Sequence, residues 1–260
     1  MKIQKHFVAY IDILGFAEYI KDNRETPDKP LELLQEFINK AKMFNTENKL
    51  KIMAFSDNIV ISMLAKEPSP PFDYDSEYWD FLFYMNTMQS YMIMTLGILP
   101  IRGGITFGNL YHNKSEVLFG EALVDAYNLE HSHAFYPRIV VNPKFLEPYK
   151  YVTDHKNLAS LGYAKMYSEF NAEKLKRQYP VAYDFDGVLY CNYLSILYFP
   201  VRHEWADISL AALDAHKLFV ESRLSETSDL KILRKYTWMK SYHNWFCEPF
   251  EEFQKYIIQD

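Results

Sequence analysis

Residues 7–16, Phe7-Val-Ala-Tyr-Ile-Asp-Ile-Leu-Gly-Phe16, form an apolar run interrupted by a single charge. A continuous run of this kind, closing at Gly15, predicts a central strand buried on both faces. A carboxylate inside such a strand is costly unless it is paired or bound to a cation. Asp12 is therefore the first candidate functional residue, the alternative being that it caps the helix that follows. Gly15 lets the backbone approach a ligand closely, and the N–H groups leading into a helix suit a phosphate.

Outward from this strand, residues 31–44 carry Leu31, Leu34, Ile38 and Ala41 at helical spacing, with Pro30 acceptable in the first turn. Residues 50–64 hold two apolar runs around Ser56-Asp57-Asn58, which predicts a hairpin turning at Asp57. A loop rich in Pro and Asp follows at 68–75. Residues 76–96 predict a helix ending at Gly97 that is apolar almost all round, hence buried or packed on a partner chain. Residues 98–110 predict a strand in which Gly103, Gly104 and Gly108 mark close approach to the backbone. A turn at 112–115, a helix at 120–131 and a strand at 138–141 complete the pattern.

The order β-α-ββ-α-β-(β)-α-β predicts an α+β fold, with helices packed on a mainly antiparallel sheet. Beyond about residue 150 the pattern changes. Strands at 181–184 and 188–197 flank a turn at Asp186-Gly187, and helices are expected at 207–224 and 230–246. No flexible linker intervenes, so residues 151–260 are read as an extension packed on the same domain as residues 1–150.

The 260 residues carry a net charge of -6, which argues against nucleic acid or an anionic membrane as the main partner. Cys191 and Cys247 are the only cysteines and offer neither a disulfide framework nor a metal-binding spacing, so a reducing, cytoplasmic setting is expected. The N-terminal run is short, contains Asp12 and does not read as a signal peptide; no stretch approaches a membrane span. Aromatic residues make up 17%, which hints at an oligomer.

If the hairpin pairs beside the first strand, Asp12 and Asp57 converge at one end of the sheet. Two hard oxygen ligands plus substrate phosphates are what Mg²⁺ or Mn²⁺ requires. Two such ions about 3.5–4 Å apart could serve attacking and leaving oxygens. Asp57 could equally be a plain turn residue. Arg102, beside Gly103 and Gly104, could reach a phosphate or form an ion pair.

The series VAYIDILGF, FSDNIVIS, IRGGITFGNLY, VLFGEALVDAYNLE and YPRIVV, over about residues 5–142, resembles the class III nucleotide cyclase catalytic domain. Within that group it is most similar to the bacterial anti-phage (Pycsar-type) pyrimidine cyclases, whose longer C-terminal extension the tail also fits. The resemblance implies a ferredoxin-like core and a head-to-tail homodimer with shared active sites. It implies that Asp12 and Asp57 bind metal with the Ile13 carbonyl, and that Gly15 and Phe16 offer backbone N–H groups to the triphosphate. The implied reaction is attack of a ribose 3′-hydroxyl on the α-phosphate with release of pyrophosphate. The product would signal to a separate effector in anti-phage defence.

The departures bear on substrate. Met53 stands where purine cyclases place a base-reading Lys or Glu, and a second base-reading position falls near Val117. Val124 and Asn128 stand where the family has Asn and Arg. These differences favour UTP or CTP over ATP or GTP, and leave Arg102 or Arg138 to meet transition-state charge. Two alternatives remain: a degenerate domain that binds nucleotide or only dimerises, and a phosphatase using Asp184 as nucleophile and Asp186 as acid/base. A plain hairpin turn explains the second motif more simply. All eight histidines, and the Met85, Met88 and Met92 face, are read as structural.

Overall fold

A computed structural model describes residues 3–45, 49–65, 77–97, 99–112, 118–146, 172–197 and 206–259. The loop expected at 68–75, most of the turn at 112–115 and Val117 lie outside these residues. The first half runs β1 (Gln4–Ile13), α1 (Phe16–Asp22), α2 (Asp28–Phe44), β2 (Leu50–Phe55), β3 (Asn58–Leu64) and α3 (Glu77–Tyr91), which ends in a π-helical turn, Met92–Leu96. β4 (Ile101–His112), β5 (Leu118–Phe119), α4 (Glu121–His133), β6 (Ile139–Val141) and α5 (Pro143–Leu146) follow. The last part contains α6 (Ala172–Gln178), β7 (Val181–Tyr183), β8 (Leu189–Cys191), a 3₁₀ turn (Tyr193–Leu197), α7 (Ala206–Glu226), α8 (Leu230–Cys247) and a 3₁₀ turn (Glu251–Tyr256).

The strands lie in the order β2-β3-β1-β4-β6-β8-β7, with β5 paired to β4. The first four, β2-β3-β1-β4, are all antiparallel neighbours and carry the order of a ferredoxin-like βαββαβ core. β6 joins β4 in parallel through the α4 crossover. The fold is thus α+β, a mixed sheet with helices on both faces.

β1 is buried on both faces, as its unbroken apolar run requires. Phe7, Ala9, Ile11 and Ile13 turn to one core with Phe37, Phe81, Met85 and Met88, while Val8 and Tyr10 turn to the other with Ala122 and Ala126. The close approach expected at the glycines is made by the chain itself. A Cβ on Gly103 would lie 2.5 Å from the Tyr10 carbonyl oxygen, and one on Gly104 only 2.3 Å from that of Ala126. Gly104 therefore lets α4 lie directly on β4.

Much of the apolarity of α3 has an explanation within the chain, although Phe83 is exposed. Its Phe81, Met85 and Met88 fill the sheet core, while Ser90 bonds the Tyr193 carbonyl and the following Ile93 packs into the C-terminal cluster. The helix is wedged between sheet and extension. Asn86 ties the same helix to Pro180, just before β7.

Two further expectations need correction. The strand expected to 197 stops at Cys191, because the buried Asn192 turns its amide to the carbonyls of Arg177 and Tyr179 while Ser195 N–H bonds Asn192 O, closing a 3₁₀ turn. The Asp184/Asp186 pair is not a phosphatase site. It flanks a hairpin turn with Gly187 at φ 77, and both carboxylates clamp the fully buried Arg138, Asp184 also accepting from Trp238 Nε1 at 2.7 Å. The same clamp removes Arg138 from the cations available to a ligand.

The extension also buries a polar chain whose hydrogens can be placed by elimination. His243 Nε2 lies 2.9 Å from the Tyr256 carbonyl, which only accepts, so Nε2 carries the proton. Neutral His243 must then accept at Nδ1 from His216 Nδ1, 3.0 Å away, and His216 Nε2 accepts from the Tyr193 hydroxyl at 2.7 Å. Every hydrogen points the same way, and both imidazoles are neutral. Burial, joined by the neighbouring His243, holds His216 well below the usual histidine range.

Candidate active site

Antiparallel register puts Asp12 of β1 opposite both Asn58 of β3 and Arg102 of β4, with Phe55 of β2 opposite Asn58. These four side chains share one face at one end of the sheet. One row inward, Met53, Val60, Tyr10 and Gly104 share the same face.

Asp57 sits in the two-residue turn that closes the β2–β3 hairpin, where Ser56 takes a left-handed φ of 57°. That conformation is uncommon for a residue with a Cβ. The Asp57 carbonyl accepts from Ile13 N–H at 3.3 Å, which fastens the hairpin tip to the end of β1. Both carboxylates therefore stand at one end of the sheet.

Hydrogen bonds orient each of them. Tyr10 donates its hydroxyl to Asn58 Oδ1 at 2.6 Å, and the Asn58 amide donates to Asp57 Oδ1 at 3.2 Å. Asp12 Oδ2 receives Arg102 Nε at 2.7 Å, and the same guanidinium reaches Glu130 of α4 at 2.9 Å and the Ala134 carbonyl at 3.3 Å. Arg102 is thus held between two acids rather than aimed at open solvent. The capping alternative for Asp12 does not hold, since the α1 N-cap is Gly15, in left-handed conformation, with no side-chain cap.

The electrostatics follow from three acids converging on a half-covered corner. Burial, then the charges of Glu130, Asp12, Tyr127 and Asp57, push the Tyr10 hydroxyl above its ordinary value, so it stays protonated and can only donate to Asn58. Glu130 is buried, and that burial raises its carboxyl despite the opposing charge of Arg102. Lys235 of α8 senses the same corner: burial and then Arg102 lower its ammonium, while Asp12 opposes.

The remaining candidates fall around this corner. Gly15 (φ 82) opens α1, Phe16 is buried with its ring near Tyr19, and Met53 lies half-buried in the hairpin. Val124 and Asn128 of α4 are exposed, and the neighbouring Tyr127 sets its ring edge-on to Tyr10 at 5.3 Å. Tyr10, Asn58, Glu130 and Lys235 were missed. For Tyr10 and Asn58 a signal existed: Tyr10 shares a strand face with Asp12, and Asn58 adjoins Asp57.

Whether divalent metal fits can be judged from the donors. Asp12 Oδ1, Asp57 Oδ2 and nearby main-chain carbonyls are hard oxygen donors, the chemistry Mg²⁺ or Mn²⁺ prefers. Among the described residues no cluster of three or more His, Cys, Asp or Glu is arranged to hold a metal, so substrate oxygens would have to complete the shell. No helix among the described residues is long and apolar enough to cross a membrane.

No family model matches the chain, and no curated protein matches it. Several solved structures that match the chain are nucleotide cyclase domains. The adenylyl cyclase CyaB from P. aeruginosa aligns at 18% identity over 57% of this chain and 82% of that one, with a TM-score of 0.43. The dimeric guanylyl cyclase domain of the RhoGC fusion protein from the aquatic fungus Blastocladiella emersonii aligns at 14% identity over 58% and 86%, with a TM-score of 0.45. The guanylate cyclase domain of RhGC from Catenaria anguillulae, solved with GTP, aligns at 15% identity over 58% and 85%, with a TM-score of 0.44.

Proposed function

We propose that this chain is a metal-dependent nucleotide cyclase that converts UTP or CTP to its 3′,5′-cyclic monophosphate and pyrophosphate. The observation that carries the reading is the convergence of Asp12 and Asp57 at one end of a ferredoxin-like sheet, joined by the Ile13–Asp57 bond. The residues that would hold Mg²⁺ or Mn²⁺ are Asp12, Asp57 and the Ile13 carbonyl; when bound, the metal supplies charge stabilisation and orients phosphate oxygens.

The chain's own contribution is alignment. Tyr10 and Asn58 fix the Asp57 carboxylate, and Arg102 fixes Asp12. Backbone N–H groups at Gly15 and Phe16 would receive phosphate oxygens. Holding the 3′-hydroxyl in line with the α-phosphate converts an encounter into a unimolecular step, the larger part of the rate gain in such chemistry. Met53, an apolar side chain, would face the base and carries no charge to demand a purine edge.

A homodimer with shared sites completes the proposal. Phe55, Val124 and Tyr127 are exposed apolar side chains around the corner, and Phe55 and Tyr127 both pack on Tyr10. A second chain covering them would exclude water from the site. Signalling of the product to a separate effector in anti-phage defence is the biological role that fits this chemistry.

A second reading has one observation in its favour. Arg102 is committed to Asp12 and Glu130, and α4 presents Val124 and Asn128 in place of the family's polar pair. A domain that binds nucleotide without turning it over would look the same. Incubation of the purified protein with ATP, GTP, CTP or UTP and Mn²⁺, with products identified by mass spectrometry, separates the two. A single cyclic pyrimidine nucleotide, lost in Asp57→Asn, supports the cyclase; bound but unconverted triphosphate supports the binding domain.

A further inference from the structure

The corner is short of a usable cation. Arg102 is spent on Asp12, Glu130 and the Ala134 carbonyl, and Arg138, the next candidate, just before the neighbouring strand β6, is sealed between Asp184 and Asp186. A metal-bound triphosphate still carries net negative charge, so something else must meet it.

The C-terminal extension brings such a group. Asp229 caps α8 by accepting from the N–H groups of Lys231 and Ile232, which fixes where the helix starts. One stripe of α8 then carries Lys235, Trp238, Met239 and Tyr242 at helical spacing. Trp238 stacks on Tyr136 with ring centroids 5.8 Å apart and donates to Asp184. Trp238 thereby fastens α8 beside Tyr136, two residues after Ala134, whose carbonyl holds Arg102.

Lys235, one turn before Trp238, is half-buried, and Arg102 and Asp12 are among the charges that act on its ammonium. Among the described residues it makes no hydrogen bond or ion pair. A half-buried ammonium without a carboxylate partner is an uncommon arrangement, because long cationic side chains normally pair or reach water.

We propose that Lys235 is a substrate-binding residue of the Asp12–Asp57 site, its ammonium contacting the polyphosphate of a nucleoside triphosphate from the same chain. The proposal rests on the nucleotide reading above. It gives the extension a direct part in the site: the docking of α8 beside Tyr136 sets where the charge stands. Lysine suits the task as a compact point charge on a flexible stem, able to follow a phosphate that Arg102 cannot leave its acids to meet.

The test is calorimetric binding of UTP, UMP and inorganic tripolyphosphate, each with Mn²⁺, to wild type, Lys235→Gln and Lys235→Arg. Loss of one charge-assisted contact should weaken UTP and tripolyphosphate by about tenfold to a hundredfold. UMP affinity should change little, and Lys235→Arg should recover most of the loss. Lys235→Met keeps the aliphatic stem and removes only the charge, so it decides the matter if the glutamine variant unfolds at a lower temperature. Equal UTP binding by wild type and the neutral variants overturns the role of Lys235 and leaves the nucleotide reading standing. Failure of wild type to bind any of the three probes overturns both.

Discussion

Replacing Arg138 by Met is the perturbation whose cost the structure fixes best. Arg138 is fully buried; its guanidinium pairs with Asp184, makes bonds of 3.1 and 2.6 Å to Asp186, and donates to the His133 carbonyl at 3.2 Å. Methionine fills much of the volume but strands two carboxylates. Breaking a buried pair from one side costs about 3–5 kcal/mol. Asp186 retains 31% side-chain exposure and Asp184 keeps its bond from Trp238, so the lower end, about 3 kcal/mol, applies. For a chain of this size that corresponds to roughly 6–12 °C in Tm. Urea titration read by far-ultraviolet circular dichroism measures it, provided the slope is unchanged. Adding Asp184→Asn and Asp186→Asn to Arg138→Met should return part of the loss, because the stranded charges are then gone. A loss below about 1 kcal/mol in Arg138→Met, the range of a surface pair, would refute the reasoning. It would also reopen a chemical role for the two aspartates.

Three further outcomes are expected. Burial, partly offset by the Tyr256 carbonyl, lowers His243 to about 4, and His216 is also depressed. The unfolded chain therefore binds protons that the folded one refuses, and stability should fall as pH drops from about 6.5 towards 4, an effect that His243→Gln should blunt in urea titrations across that window. Gly104→Ala should destabilise by about 3 kcal/mol or more, because its Cβ would meet backbone atoms of α4 at 2.3 and 2.9 Å; Gly108→Ala, with a nearest contact of 3.4 Å, should stay near wild type in the same assay. Tyr10→Phe should leave the fold intact yet weaken Mn²⁺ binding by about tenfold, followed by electron paramagnetic resonance, since Asn58 then loses the bond that orients it towards Asp57; unchanged affinity would sink that chain of support.

The core strands and helices were legible because each announces itself locally. The apolar run around Asp12, the Ser56-Asp57 turn and the Gly97 stop all needed only neighbours in sequence, and the hairpin, α3 and α4 stand where those signals put them. What stayed hidden depends on partners far along the chain. Arg102 meets Asp12 across 90 positions of sequence, and only the antiparallel register brings them together. Arg138 and Asp184 are 46 positions apart, so the Asp184/Asp186 motif read alone looks like chemistry and read with its partner is a clamp. The same holds for His216 and His243, whose stacked rings come from two different helices. The strand expected beyond Cys191 failed for a related reason: the Asn192 side chain is satisfied by carbonyls some fifteen residues earlier, which no local pattern encodes.

Sheet order has a consequence for how the protein behaves when crowded. Among the described strands, the two ends of the seven-strand order are β2 and β7, and an open edge is a template on which another chain can add a strand. β7 offers only Val181–Tyr183 and is preceded by Pro180, which has no N–H to give. β2 carries the exposed Lys51, a charge that an incoming strand would have to bury. The longer β1 and β4 are kept in the middle. A variant that removed Lys51 or loosened the β7–β8 hairpin would be expected to stay folded, yet to precipitate on concentration.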